Sequence, residues 1–345
     1  MSRHVNIPIF IPHLGCPNQC VFCNQRTISG VEDFDPDSLS SIIDTALETV
    51  EQDVMVEIAF FGGSFTGIDR PLMIKLLDTA YEYIKRGRVN SIRCSTRPDY
   101  INEEILTILK ERGVKVIELG LQSSSDIVLA ATKRGHSFED ERVACELIVK
   151  SGFLLVGQMM IGLPGSSEAS ELETAKFIIS SGASGARIYP TVVFKGTELC
   201  SMAESGEYKP LELQEAISRS ASVLELFLKN GVDVIRIGLC ASENLSSDET
   251  YHSGPNHSAV GELVINEYYL RQIKKKISDI NLSCGDTVKI KVAPGNLSKA
   301  IGQKKINKLL LSEIFEGVRI VFGESDALSG YEISVEKEAG EKKCI

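Results

Sequence analysis

Five glycines set the frame for this chain. Gly87, Gly113, Gly152, Gly182 and Gly231 each follow a stretch of helical period and precede a short apolar run. Glycine at that point ends a helix in the left-handed conformation, which a residue without Cβ adopts at least cost. The runs themselves, Val54–Phe61, Ser91–Cys94, Val114–Leu119, Phe153–Ile161, Ala186–Val193 and Val232–Ile237, are short and β-rich, as buried strands are. Helix starts are marked by Asp69 ahead of Pro71 and by Asn102 ahead of an acidic pair, residues that accept from or pre-shape a first turn. Strands that alternate with helices through joins this short lie parallel, with right-handed crossovers. With a first strand at Asn6–Pro12 and Val232–Ile237 as an added edge strand, the pattern predicts an α/β fold, an open (β/α)6 barrel. In such barrels chemistry collects on the loops that follow the strands.

Composition narrows the setting. The 345 residues, 43% of them hydrophobic, leave room for one large domain and a small one. No charged-then-apolar leader opens the sequence, and Val5–Ile11 is too short to span a bilayer, so a cytoplasmic protein with no membrane partner is expected. Nine cysteines, odd in number and mostly scattered, argue against a disulfide framework and for a reducing compartment. Cys94, Cys145, Cys200, Cys240, Cys284 and Cys344 read as packed small apolar residues. A net charge of −10 excludes a general polyanion binder. Yet Val264–Leu311 holds ten Lys or Arg against three acids, which leaves the remainder more acidic still and marks a basic C-terminal patch.

Three cysteines stand apart from the rest. Cys16, Cys20 and Cys23 are spaced Cys-x3-Cys-x2-Cys with Phe22 before the third, close enough for three thiolates to meet one cluster, with no fourth nearby. Three ligands on four irons reserve one iron for a group that is not protein. Zinc with a distant fourth ligand, or a metal-free loop, are the other readings of the spacing alone. The pattern resembles the signature of the radical SAM enzymes. That resemblance implies a [4Fe-4S] cluster whose open iron chelates S-adenosylmethionine (SAM), one-electron cleavage to a 5′-deoxyadenosyl radical, and a reductant such as flavodoxin or ferredoxin.

The loops after the strands extend the likeness through residues 5 to 240. Gly62-Gly63-Ser64 is similar to the Gly-Gly-Glu-type motif that holds the amino group of SAM, with Ser64 in place of the acid; read alone, a glycine pair is a tight turn. Gln122 and Arg134 match a glutamine and an arginine that bind SAM in the branch containing oxygen-independent coproporphyrinogen oxidase and the Elongator catalytic subunit. A guanidinium suits a carboxylate because it forks onto it, although without the family Arg134 reads as a solvated helix-end charge. The resemblance also assigns Phe22, Thr96 and Gln158 to cofactor binding, Gln158 at the ribose. Arg187-Ile188-Tyr189-Pro190 through Lys195 is similar to the Elongator subunit, which puts Arg187, Tyr189, Lys195 and Arg236 at the barrel mouth as substrate-contacting or radical-quenching residues. The acetyltransferase domain and acetyl-CoA loop of that relative are not visible here.

Thr287–Ala293, two helices and two further strands make a small α+β unit. Its Pro294–Gly302 stretch is similar to KH domains, in which a Gly-x-x-Gly loop clamps about four nucleotides. Lys305 replaces the second glycine, and Lys299, Gly302, Lys304, Lys305 and Lys308 are the expected RNA contacts. The organisation expected is a barrel over 1–245, a connecting segment with a basic helix over 246–284, the KH-like unit over 285–336 and a tail over 337–345. The function expected is radical SAM modification of an RNA base, in tRNA or rRNA. A radical SAM oxidoreductase on a small molecule, or a non-catalytic iron–sulfur RNA-binding protein, are the alternatives.

Overall fold

In the computed structural model, which describes residues 4–339 apart from 13, 18, 19, 32, 52, 240–246, 248 and the side chain of 26, the alternation becomes one parallel sheet. Its strands are β1 (His4–Phe10), β2 (Met55–Phe61), β3 (Ser91–Thr96), β4 (Val114–Gln122), β5 (Leu154–Ile161), β6 (Gly185–Pro190) and β8 (Asp233–Ile237). They lie in the order β1-β2-β3-β4-β5-β6-β8, each parallel to its neighbour. Because β1 pairs only with β2, and β8 only with β6, the half-barrel stays open. The joining helices are α2 (Leu39–Glu48), α3 (Arg70–Lys85), α4 (Glu103–Glu111), α5 (Asp126–Ala131), α6 (Phe138–Lys150), α7 (Glu168–Ser180), α8 (Glu198–Glu204) and α9 (Leu213–Lys229), with a short α1 (Gln25–Ser29) before them. All five frame-setting glycines have φ between +69° and +83°. Asp69 and Asn102 cap α3 and α4 by accepting from Leu72 N and Ile105 N, as their positions predict.

The sheet's two faces do different work. Side chains such as Ile58, Ile92, Ile117, Met159 and Ile188 are buried against the helices and make the main core. On β5 the half-buried Gln158 and Met160 alternate with them and face the lumen, as a period of two requires.

Several strand boundaries move by a residue or two, β1 running His4–Phe10 where Asn6–Pro12 was expected, and two move further. The run Ala186–Val193 is not one strand: β6 ends at Pro190, and Val193–Phe194 turns away as β7 to pair antiparallel with β9 (Tyr251–Ser253). Proline supplies no N–H to continue a ladder. Strand β4 runs on to Gln122 through a bulge against β5, and Gln122 takes a left-handed φ of 74°.

The C-terminal residues form a second sheet, β11-β10-β12, from β10 (Thr287–Val292), β11 (Arg319–Glu324) and β12 (Ile333–Glu338). A helix–turn–helix, α11 (Leu297–Ile301) and α12 (Ile306–Ile314), carries the chain from β10 to parallel β11. Helix α10 (Val260–Ser278) precedes it and joins both cores, with Val264 in the first and Tyr269, Ile273 and Ile277 in the second. Cys94, Cys145 and Cys200 are buried and free, as expected. Cys284 is disulfide-bonded, against the expectation of a packed thiol; spacing alone does not reveal which sulfurs fold together. Cys240 and Cys344 lie outside the described residues. No helix among the described residues is long and apolar enough to cross a membrane.

Gly157 on β5 exists for contact with α7: a Cβ there meets Ile178 Cγ2 at 2.7 Å. Gly157→Ala is expected to cost about 1–3 kcal/mol through overpacking, read as a lowered midpoint in urea unfolding.

Candidate functional site

Cys16, Cys20 and Cys23 lie on the loop between β1 and α1, at the end of the sheet where strands give way to helices. Three neighbouring segments grip this loop through the backbone. Ser64 N donates to Leu14 O (3.3 Å), Val21 N to Thr132 O (3.1 Å) and Leu199 N to Val21 O (2.8 Å). The glycines after β2 have a use the sequence reading did not give them. A Cβ on Gly63 meets Leu14 O at 2.4 Å and one on Gly62 meets the Ile11 backbone at 3.1 Å, so the pair admits the chain entering the cysteine loop. Gly15, at φ +72°, is pressed in return against Ser64 O. Ser64 is fully buried, its Oγ shared with Thr96 Oγ1 (2.9 Å) and the Arg97 N–H (3.3 Å). Ser64 and Thr96 thus tie the loops after β2 and β3 together. Phe22 packs beside Val21, Val193, Leu199 and Tyr208.

Two guanidiniums converge on Cys20. Arg134 Nη1 is 3.2 Å and Arg97 Nη1 3.7 Å from its sulfur. Arg134 also donates to Gly120 O, and Arg97 forks onto Asp99 (2.9 and 3.0 Å) while donating to Arg134 O. Arg134 is only 5% exposed, which overturns the solvated helix-end reading. Beneath Asp99, His136 Nε2 bonds Glu141 Oε1 at 3.0 Å. Burial, together with the Arg134 charge, pushes that imidazole down to about 4, so it is neutral at physiological pH. Burial pushes the Cys23 thiol up to about 12, and Cys20 and Cys16 add to the effect, since like charges nearby disfavour a thiolate.

These residues fit a [4Fe-4S] cluster with bound SAM. The three cysteines are free, and two cations stand where thiolate charge accumulates. Gln122 Oε1 and Arg134 Nε are buried with no hydrogen-bond partner, which is costly unless a ligand satisfies them. Both side chains lie beside Gly120.

Deeper in the lumen an ion-pair chain crosses the sheet. His4 Nε2 bonds Glu57 Oε2 (2.9 Å), Arg93 Nε bonds the same oxygen (2.8 Å), and Arg93 Nη1 reaches Glu118 Oε1 (2.8 Å). Arg187 Nη2 meets that Glu118 oxygen at 2.9 Å and its Nη1 lies 3.4 Å from Tyr189 Oη. Arg187 is therefore buried in a network and positions Tyr189, which is half-buried with its phenol pushed up by burial. Arg236 pairs in register with Arg187 and is half-buried nearby. Lys195 is exposed on the turn after β7, where its N–H donates to Thr250 O. The sequence reading gave Glu57, Arg93, Arg97 and Glu118 no role, though for Glu57, Arg93 and Glu118 charges inside otherwise apolar strand runs were the available signal.

In the C-terminal unit, the turn between α11 and α12 brings Gly302, Lys304 and Lys305 together. Gly302 has φ +82°, and Lys304 and Lys305 are both left-handed, at +52° and +64°. Their side chains and that of Lys308 are exposed, while Lys299 is half-buried against Asn296. Buried Asn307 fixes the turn to α10 through Asn266 O (2.8 Å). The basic patch is smaller than the count implied, because Lys289 and Lys291 pair with Glu338 and Glu336 on β12.

Two outcomes are expected. Gly15→Ala drives a Cβ to 2.2 Å from Ser64 O at a positive φ, so reconstituted protein should lose most of its iron while its circular dichroism is retained. Glu118→Gln leaves buried Arg187 without its carboxylate and should cost about 3–5 kcal/mol in denaturant unfolding.

Comparison with known proteins agrees with this geometry. The model of the radical SAM superfamily matches residues 10–178, and that of the radical SAM C-terminal domain matches 183–270. An uncharacterized protein of Methanocaldococcus jannaschii is 32% identical over 231 residues, 64% of this chain and 70% of that one. The tRNA uridine(34) acetyltransferase of Methanocaldococcus infernus is 38% identical over 135 residues, which cover 38% of this chain but 25% of the relative. A solved structure of the archaeal Elp3 from the same organism superposes with a TM-score of 0.63 at 24% identity, over 80% of this chain and 64% of that one; that likeness is one of fold. The chain belongs to the radical SAM superfamily, enzymes that work with a [4Fe-4S] cluster and S-adenosylmethionine.

Proposed function

We propose that this enzyme modifies a base of RNA, most simply tRNA, with residues 1–245 carrying the chemistry, 246–284 connecting, and 285–336 acting as a KH-like holder of the RNA. The cluster, when bound, supplies the electron that cleaves SAM, and a cytoplasmic flavodoxin or ferredoxin is the reductant on this reading. Cys16, Cys20 and Cys23 hold the cluster. Gln122 and Arg134 take the amino-acid end of SAM and Gln158 the ribose, while the Gly62–Ser64 turn and Thr96 shape the wall beside it. Tyr189, kept protonated by burial and aimed by Arg187, faces the substrate with Arg236 and can donate a hydrogen atom or a hydrogen bond.

One observation carries the RNA part: consecutive exposed lysines held left-handed. Each such lysine costs roughly 1–2 kcal/mol relative to a right-handed one, and backbone strain of this kind persists where it serves a site. With Gly302, Lys299 and Lys308 they present backbone and charge to a phosphate chain. The acetyltransferase relative named for tRNA uridine supports the same substrate class, although it shares only part of its length. A small-molecule substrate is favoured by one feature, the pairing of Lys289 and Lys291 with glutamates.

Anaerobically reconstituted enzyme, given SAM, dithionite and bulk tRNA, is expected to form 5′-deoxyadenosine above a Cys20→Ala control and to leave a nucleoside of altered mass. RNA retention should fall with salt with a log–log slope near −3, from about four phosphates at ~0.7 each. Replacing Lys304 and Lys305 with Glu should weaken RNA retention about tenfold or more without lowering RNA-independent SAM cleavage. Unaltered nucleosides with turnover of a metabolite sink the RNA reading and favour the small-molecule one.

A further inference from the structure

Away from the cluster loop, three metal-ligating side chains converge beside α8. Cys200 and Glu204 stand one turn apart on that helix, and His252 reaches them from β9. Their ligand atoms lie within 4.8 Å of one another: Glu204 Oε1 is 3.7 Å from Cys200 Sγ and 3.8 Å from His252 Nε2. Zinc bonds of about 2.3 Å to sulfur and about 2.0–2.2 Å to nitrogen and oxygen set tetrahedral ligands roughly 3.3–3.7 Å apart. Closing the site therefore takes side-chain adjustments of about an ångström or less, which the exposed Glu204 and half-buried His252 can make.

The surroundings are those of a supported metal site. His252 Nδ1 is held 2.7 Å from Ser253 Oγ, which fixes the ring and leaves Nε2 toward the pair, as outer partners of ligating histidines do. Burial pushes the Cys200 thiol up and the neighbouring Glu204 carboxylate adds to it, with the Lys195 charge and the Gly196 backbone offsetting only part. Two groups that carry negative charge as ligands thus meet with an imidazole that offers a lone pair, and a cation between them relieves the conflict. Sulfur with imidazole selects zinc or a similar borderline ion over magnesium or calcium.

We propose that Cys200, Glu204 and His252 bind a divalent transition metal of the zinc class, with the fourth position left to water. The site braces the cluster loop from behind. Leu199 N holds Val21 O, and Cys200 packs in the small core of Val21, Val193, Leu199 and Tyr208, so the ion pins β9 to the helix that backs this loop. The assignment rests on neither the RNA substrate nor the reaction.

Holoenzyme with its cluster reconstituted, exposed to zinc and desalted, should retain about one zinc per chain beside its iron. Zinc-edge X-ray absorption is expected to find one sulfur at about 2.3 Å with nitrogen or oxygen neighbours near 2.0–2.2 Å. Cys200→Ser and His252→Ala should each weaken zinc affinity at least about tenfold, with iron content reporting that the variant is folded. Failure to retain zinc overturns the proposal, as does a shell of three sulfurs, which puts the ion on Cys16, Cys20 and Cys23. Unchanged affinity in both variants overturns it as well. The wild-type absorption measurement decides the matter even if a variant does not fold.

Discussion

Two guanidinium groups meeting at one sulfur hold this architecture to its purpose. Arg97 comes from the loop after β3 and Arg134 from the segment after α5, yet both reach Cys20 on the loop after β1. Bringing three thiolates and two arginines out of water is unfavourable for each alone. Gathered, each supplies the other's counter-charge, and the Arg97–Asp99 fork and the Gly120 carbonyl consume the remaining donors. Gln122 Oε1 and Arg134 Nε stay without a hydrogen-bond partner beside them.

The barrel below is arranged to keep that mouth in place. Instead of the branched apolar layers that fill closed parallel barrels, the lumen holds a relay of opposite charges from His4 on β1 to Arg187 on β6. Such a chain contributes modest net stability, since desolvation offsets attraction, but its partners have few other places to go. It fixes the lateral register of five strands and delivers Arg187 to Tyr189. A second buried pair does the same for the loop after β5, where Glu171 accepts from Gly162 N (2.7 Å) and from Arg219 (2.9 Å).

The fold was legible because its signals are local. Helix-ending glycines, capping Asp69 and Asn102 and strand-length apolar runs each act within a few residues, and the sheet follows from their alternation. The cysteine triplet was legible for the same reason. Less was readable where a residue's partner is remote: nothing near Gly62 and Gly63 in sequence announces that the backbone of Ile11 and Leu14 occupies the space of their missing side chains. Without the family resemblance Arg134 read as solvated, because nothing nearby in sequence announces Cys20. Lys195 was placed with Arg187 and Tyr189 by resemblance, but Pro190 ends β6 and Lys195 follows a separate short strand, β7. The extent of the basic patch was overcounted because the glutamates that neutralise Lys289 and Lys291 lie some fifty residues on, along β12.

Helix α10 contributes Val264 to one core and Tyr269, Ile273 and Ile277 to the other. A helix shared in this way makes the two sheets thermodynamically interdependent: melting either exposes apolar surface that the other needs. Damage far from the metal, even within the small C-terminal sheet, is thereby felt in the scaffold that carries the cluster, and the two units lose cooperativity together rather than one at a time.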